Sequence, residues 1–147
     1  MIKGYLGVDV GSVSTNLVVI DDQNQLLAAQ YLRTSGKPIE TVQKGLSAIG
    51  EDLPADVEIA GAATTGSARY LTSLIVGADV VKNEITAHAI ASSALVEDVK
   101  TIIEIGGQDS KIIILREGVV TDFAMNTVCA AGTGSFLDQQ ASRLLIS

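Results

Sequence analysis

"YLGVDVGSVSTNLVVID", residues 5–21, and "TIIEIGGQDSKIIILREGVVTDFAM", residues 101–125, share one layout: an apolar strand bearing an acid near its end, a turn of small residues, then a second apolar strand. Each strand is rich in Val and Ile and each turn carries glycine, the pattern of a hairpin. The first copy continues through the polar turn "DDQNQ" into a third strand, "LLAAQYL", and the second through a tighter polar turn into "VVTDFAM". Val8-Asp9-Val10-Gly11-Ser12 lies over Ile103-Glu104-Ile105-Gly106-Gly107, and Ile20-Asp21-Asp22 over Leu115-Arg116-Glu117. Two three-stranded meanders with acids at matching positions read as an internal duplication.

Between the copies, "KPIETVQKGLSAIGEDL" places Pro38 at a first helical position and repeats Ile39, Val42, Leu46, Ile49 and Leu53 at gaps of three and four. That spacing predicts an amphipathic helix with one face on the sheet. "DVEIAGAAT" predicts a buried strand, "SARYLTSLIVG" a short helix, and "NEITAHAIASSALVED" an alanine-rich helix with Ile85, Ala89 and Ile90 turned inward. The order βββαβαα defines a complete first subdomain over residues 1–98. After the second meander come only a cysteine loop and one helix, "GSFLDQQASRLLIS", with Leu137, Ala141, Leu144 and Leu145 on a face. Residues 99–147 are therefore expected to be the opening half of a second subdomain that continues beyond 147 in a parent protein. With no Pro- or Gly-rich linker between the copies, the expectation is one packed α/β unit with a cleft.

At 147 residues and 47% hydrophobic composition the chain can bury a core, and with 3% aromatics that core must be aliphatic. A net charge of −7 without a Lys or Arg block argues against nucleic-acid binding and against a polybasic membrane anchor. The first residues lack a signal-peptide pattern, and no apolar run approaches the roughly 20 residues of a spanning helix, so a cytoplasmic location is expected. One cysteine excludes an internal disulfide.

Each copy sets an acid at a strand end beside small turn residues. Such a turn lets backbone N–H groups approach phosphate oxygens while the acid, Asp9 or Glu104, holds Mg2+ through water. Two hairpins facing each other would clamp a polyphosphate; a single one could equally be a plain β-turn. In the second copy Gln108 and Asp109 add an amide and a carboxylate that could orient an attacking water. His88 and Glu84 share a helical face but are too few for a metal site. Arg69, in "TTGSARYL", is either a phosphate ligand or a surface arginine at a helix start.

Cys129 precedes "AAGTG" and a helix whose expected cap is Thr133 or Ser135, with Asp138 three residues after Ser135 completing a capping pattern. Helix amides would favour its thiolate, leaving three readings open: nucleophile, metal ligand or small buried hydrophobe. A nucleophile wants a base, and the single histidine lies on a distant helix. One thiolate is too few for an iron-sulfur cluster, and a symmetric dimer would supply two.

Together, "GVDVGSVSTN", "IEIGGQDSK" and "NTVCAAGTGSFLDQQA" resemble the ATP-dependent activators of 2-hydroxyacyl-CoA dehydratases and the ATPase subunits of benzoyl-CoA reductases. The resemblance runs over nearly the whole chain and includes "TTGSAR" and "EITAHA". It implies the ribonuclease-H-like fold of actin, acetate kinase and sugar kinases, binding ATP and Mg2+. It also implies a homodimer sharing one 4Fe-4S cluster, an electron donor such as ferredoxin or flavodoxin, and ATP-driven one-electron transfer to an acyl-CoA dehydratase or reductase. By position, Asp9, Gly11 and Ser12 match the first phosphate motif, Gly106, Gly107, Gln108 and Asp109 the second, and Cys129 a cluster ligand. Asn16 stands where many members have Lys, and Glu104 where Asp is common. Two other functions fit the same residues: a sugar or carboxylate kinase with Asp109 as its catalytic acid residue, and a non-catalytic actin-like nucleotide-binding module.

Overall fold

Strand β1 (Ile2–Val10) buries Leu6, Val8 and Val10 on one face and turns Tyr5, Gly7 and Asp9 to the other, as a period of two requires. It pairs antiparallel with β2 (Ser14–Ile20), which pairs antiparallel with β3 (Leu26–Arg33). The first meander is therefore present in a computed structural model that describes residues 1–126, 128 and 133–146. Helix α1 (Pro38–Asp52) follows, then β4 (Val57–Thr65), α2 (Arg69–Val76) and a short β5 (Val80–Val81) that sequence patterning did not indicate. The sheet order is β3-β2-β1-β4-β5, with β4 parallel to both β1 and β5.

Leu6, Val8, Val10, Leu17, Val19 and Ala28 form the core under Val42 and Ile49 of α1, each large side chain contributing about 1.5–3 kcal/mol by burial. Gly45 brings the helix close: a Cβ there would meet Leu17 and would lie 3.1 Å from Leu32 Cδ1. Leu46 and Leu53 pack at the margin of this core, whereas Ile39, expected inward, is exposed on the first turn. Strand β4 departs from its expected burial. Its Ala and Gly residues fill little space, only Thr64 is fully buried, and Ile59 is largely exposed.

The chain divides into two compact units, Met1–Glu84 and Ile85–Ser147. The break falls at 84/85 rather than at the expected 98/99, because helix α3 (Glu84–Leu95) supplies core to the second sheet. Its Ala89 is buried with Ile113 and Leu115, and Ile85 packs beside them. Ile90, expected inward, is exposed. The second unit holds the meander β6 (Thr101–Ile105), β7 (Ser110–Arg116) and β8 (Val119–Met125), then α4 (Gly134–Leu144).

The duplication holds in register. Asp9 faces Asn16 and Val10 faces Thr15 in the first hairpin; Glu104 faces Lys111 and Ile105 faces Ser110 in the second. The coverage differs. Val8, Val10 and Leu17 are at most 1% exposed beneath α1, while their counterparts Ile103, Ile105 and Ile112 are 72%, 56% and 41% exposed. The apolar face of α4 is open as well, with Leu137, Leu144 and Leu145 exposed.

Candidate functional site

Both glycine turns close with the same bond. The Gly11 N–H donates to the Ser14 carbonyl at 2.9 Å, and the Gly106 N–H to the Asp109 carbonyl at 2.8 Å. Behind each turn stands an equivalent trio of side chains. In the first unit Asn16 Nδ2 donates to Asp9 Oδ2 at 3.3 Å and to Ser14 Oγ at 3.5 Å. In the second, Lys111 Nζ donates to Glu104 Oε2 at 3.0 Å and to Asp109 Oδ1 at 2.6 Å. Asp9, Ser14 and Asn16 are thus a weakly charged version of what Glu104, Asp109 and Lys111 build from ions.

Lys111 is 6% exposed. Burial alone would lower its pKa, but the hydrogen bonds to Asp109 and Glu104 outweigh that cost and hold it above the usual lysine value. Sequence patterning singled out the two acids and missed the lysine, whose signal was its place opposite Glu104 in a strand of isoleucines. Gln108 lies in the turn between them and is exposed.

The first turn is closed from the side by the β4–α2 corner. Ala68 donates its N–H to the Val10 carbonyl at 3.1 Å. Gly66 has φ +90°, and a Cβ there would collide with the Val10 carbonyl and lie 2.5 Å from Asp9 Oδ1, so only glycine lets this corner approach the acid. Next to it, Thr65 is the register partner of Asp9, and its buried hydroxyl has no hydrogen-bond partner among the described residues. Arg69 has a local role: it donates to the Gly66 carbonyl at 3.1 Å, lies 4.0 Å from Glu84 and covers the Tyr70 ring. Glu84 is accordingly directed to Arg69 as well as sharing a helix with His88.

Two buried threonines also bear on the turns. Thr34 Oγ1 donates to the Gly11 carbonyl at 2.9 Å, and Thr133 Oγ1 to the Gly107 carbonyl at 3.1 Å. Thr133 is the residue before α4, as expected of a cap, but its hydroxyl makes no bond to the helix's own amides. The Gly134 N–H donates to the Gly106 carbonyl at 2.8 Å, and the Ser135 N–H to the Gly107 carbonyl at 3.1 Å. The Ser135 hydroxyl donates to the Gly107 carbonyl too. Two of the first amides of α4 therefore serve the glycine turn. Cys129 itself lies outside the described residues. No helix among the described residues is long and apolar enough to cross a membrane.

Residues 6–147 match the model of a family described as the BadF/BadG/BcrA/BcrD ATPase family. The chain is 36% identical over 140 residues to the (R)-2-hydroxyglutaryl-CoA dehydratase activating ATPase of Acidaminococcus fermentans, covering 95% of this chain and 53% of that protein. It is 38% identical over 143 residues to the activator of lactoyl-CoA dehydratase of Anaerotignum propionicum, covering 92% and 52%. The chain spans about half the length of these curated relatives. Among solved structures, the activator of the 2-hydroxyisocaproyl-CoA dehydratase from Clostridium difficile with bound ADPNP superposes with a TM-score of 0.85 at 30% identity, covering 98% of this chain and 53% of that one. A ROK family glucokinase from Streptomyces griseus, at 14% identity and a TM-score of 0.61 over 87% of this chain and 48% of that one, shares the fold alone. The architecture is the α/β fold of actin-like and sugar-kinase ATPases.

Proposed function

The chain belongs to the BadF/BadG/BcrA/BcrD ATPase family, and from that membership we propose that it carries the phosphate-binding machinery of an ATPase that activates a 2-hydroxyacyl-CoA dehydratase or a benzoyl-CoA reductase type enzyme. The observation that carries this reading is the shared register of the two acid-bearing hairpins, Asp9 opposite Asn16 and Glu104 opposite Lys111, each closing on a glycine turn.

In this reading the Ser12 and Gly107 amides reach the phosphates, while Gly11 and Gly106, whose own N–H groups close the turns, leave room for close approach. Asn16 supports Asp9 as a neutral donor. Gln108 and Asp109 orient the water that attacks the terminal phosphorus, and Lys111 fixes the Asp109 carboxylate for that task. The residues fit Mg2+, which commonly takes one or two carboxylates and completes its shell with water and phosphate. Asp9 and Glu104 are hard oxygen donors, and the unpartnered buried hydroxyl of Thr65 beside Asp9 suits a metal-bound water. When bound, Mg2+ would neutralise charge on the phosphates.

A 4Fe-4S cluster takes four thiolates and this chain has one cysteine. Cys129 is proposed as one ligand of a cluster shared across a homodimer, with ferredoxin or flavodoxin as electron donor and a cytoplasmic location. The remaining ligands are not among these residues, so no electron-transfer step is derived from them.

The test is ATP turnover together with iron and acid-labile sulfide in the intact protein purified without oxygen, beside Asp9→Ala and Cys129→Ala. The expected result is about four irons per dimer, lost in the cysteine variant, and turnover lost in the aspartate variant with its iron kept. A wild-type protein without iron overturns the cluster assignment; turnover that survives Asp9→Ala overturns the phosphate site.

A further inference from the structure

The Gly107 carbonyl receives three donors, the Thr133 hydroxyl, the Ser135 N–H and the Ser135 hydroxyl, and the neighbouring Gly106 carbonyl receives the Gly134 N–H. A carbonyl oxygen has two lone pairs, so Gly107 is held more firmly than secondary structure demands. Every peptide bond described is trans. In a planar trans peptide the C=O and the following N–H point in opposite directions. Drawing the Gly106 and Gly107 carbonyls toward α4 therefore turns the N–H groups of Gly107 and Gln108 to the other side of the turn.

We propose that Thr133 and Ser135 are positioning residues for phosphate binding. They lock two peptide planes of the second turn so that the Gly107 and Gln108 amides are aimed before nucleotide arrives. The inference rests on the reading that this turn holds phosphate. The first unit repeats the device independently: Thr34, 3% exposed and placed after the third strand as Thr133 is, pins the Gly11 carbonyl and so orients the Ser12 amide. A turn already held in its binding shape loses less freedom on binding, which strengthens affinity. The coupling is reciprocal, so phosphate on the turn must tighten the grip on the start of α4.

Binding of a non-hydrolysable ATP analogue to the intact protein, by titration calorimetry, tests this with Thr133→Val, Thr133→Ser and Ser135→Ala. Hydrogen exchange at the Gly134 and Ser135 amides is followed with and without the analogue. Thr133→Val and Ser135→Ala are expected to weaken binding about 10-fold each, as loss of one aimed hydrogen bond implies, while Thr133→Ser stays within about 2-fold of wild type. In the wild type the analogue should slow exchange at both amides. Folded Thr133→Val and Ser135→Ala proteins that bind like wild type overturn the proposal, as does wild-type exchange that the analogue leaves unchanged. If Thr133→Val does not fold, Ser135→Ala and the wild-type exchange decide. A wild type that binds no analogue overturns the nucleotide reading itself, and this inference with it.

Discussion

Glu104 and Lys111 face each other across the β6–β7 ladder, ammonium 3.0 Å from carboxylate, at the register position that Asp9 and Asn16 hold in the first hairpin. With Asp109 included, the second trio carries one net negative charge from three ions, and the first carries the same charge from Asp9 alone. The two turns thus carry the same net charge by different chemistry. Lys111→Met would strand two neighbouring carboxylates. Removing one partner of a buried pair costs about 3–5 kcal/mol, and the partial exposure of Asp109 reduces this to about 2–3. Denaturant unfolding should show that loss, and Asp109→Ser combined with Lys111→Asn, which installs the first unit's residues, should cost less than Lys111→Met alone.

Gly66→Ala tests the β4–α2 corner. A side chain at φ +90° is strained, and its Cβ would press on the Val10 carbonyl and the Asp9 carboxylate. A loss of about 2 kcal/mol or more is expected, with nucleotide affinity falling further than unfolding of the protein explains. Calorimetric unfolding and analogue titration on the same sample separate the two effects; unchanged affinity at saturating stability would count against a site at Asp9.

Tyr5 donates its hydroxyl to Asp22 Oδ1 at 2.6 Å. The hydrogen bond to Asp22, then burial, then the carboxylate's charge hold the phenol above its ordinary value. A raised folded value means the pair's contribution is complete below about pH 10 and disappears as pH rises through the folded value. Ultraviolet titration of tyrosinate should show one group shifting downward in Asp22→Asn. An identical curve for both proteins would refute the pairing.

Ile103, Ile105 and Ile112 leave the outer face of the second sheet open, where the first unit has α1. The 147-residue chain should therefore bind a hydrophobic dye and self-associate with rising concentration. Ile103→Lys with Ile112→Lys should reduce both by several-fold, measured by dye fluorescence and sedimentation, without lowering helix content.

The meanders and α1 are legible because alternating Val and Ile and a repeat of three and four leave one solution each. Ile90 is not, since α3 is apolar nearly all round and its spacing names no face. The 98/99 boundary follows from where the first pattern ends and the second meander begins, but the packing of Ala89 on Ile113 and Leu115 puts α3 with the second sheet. The pins at Thr34 and Thr133 join residues 23 and 26 positions from their carbonyls. No local pattern announces a hydroxyl that serves another segment, and Thr133 reads from sequence as an ordinary cap.

Strand β1 gains its parallel neighbour only when residues 57–65 are available, since Ile2 pairs with Val57 and Asp9 with Thr65. On a ribosome, β2 can zip onto β1 and β3 onto β2 as soon as they emerge, because antiparallel hairpins need only nearby chain. The far side of Asp9 must wait for a loop of some fifty residues to close. A nascent chain stalled before β4 would carry a formed first turn without the strand that flanks Asp9, so this half of the molecule is completed late in synthesis rather than early.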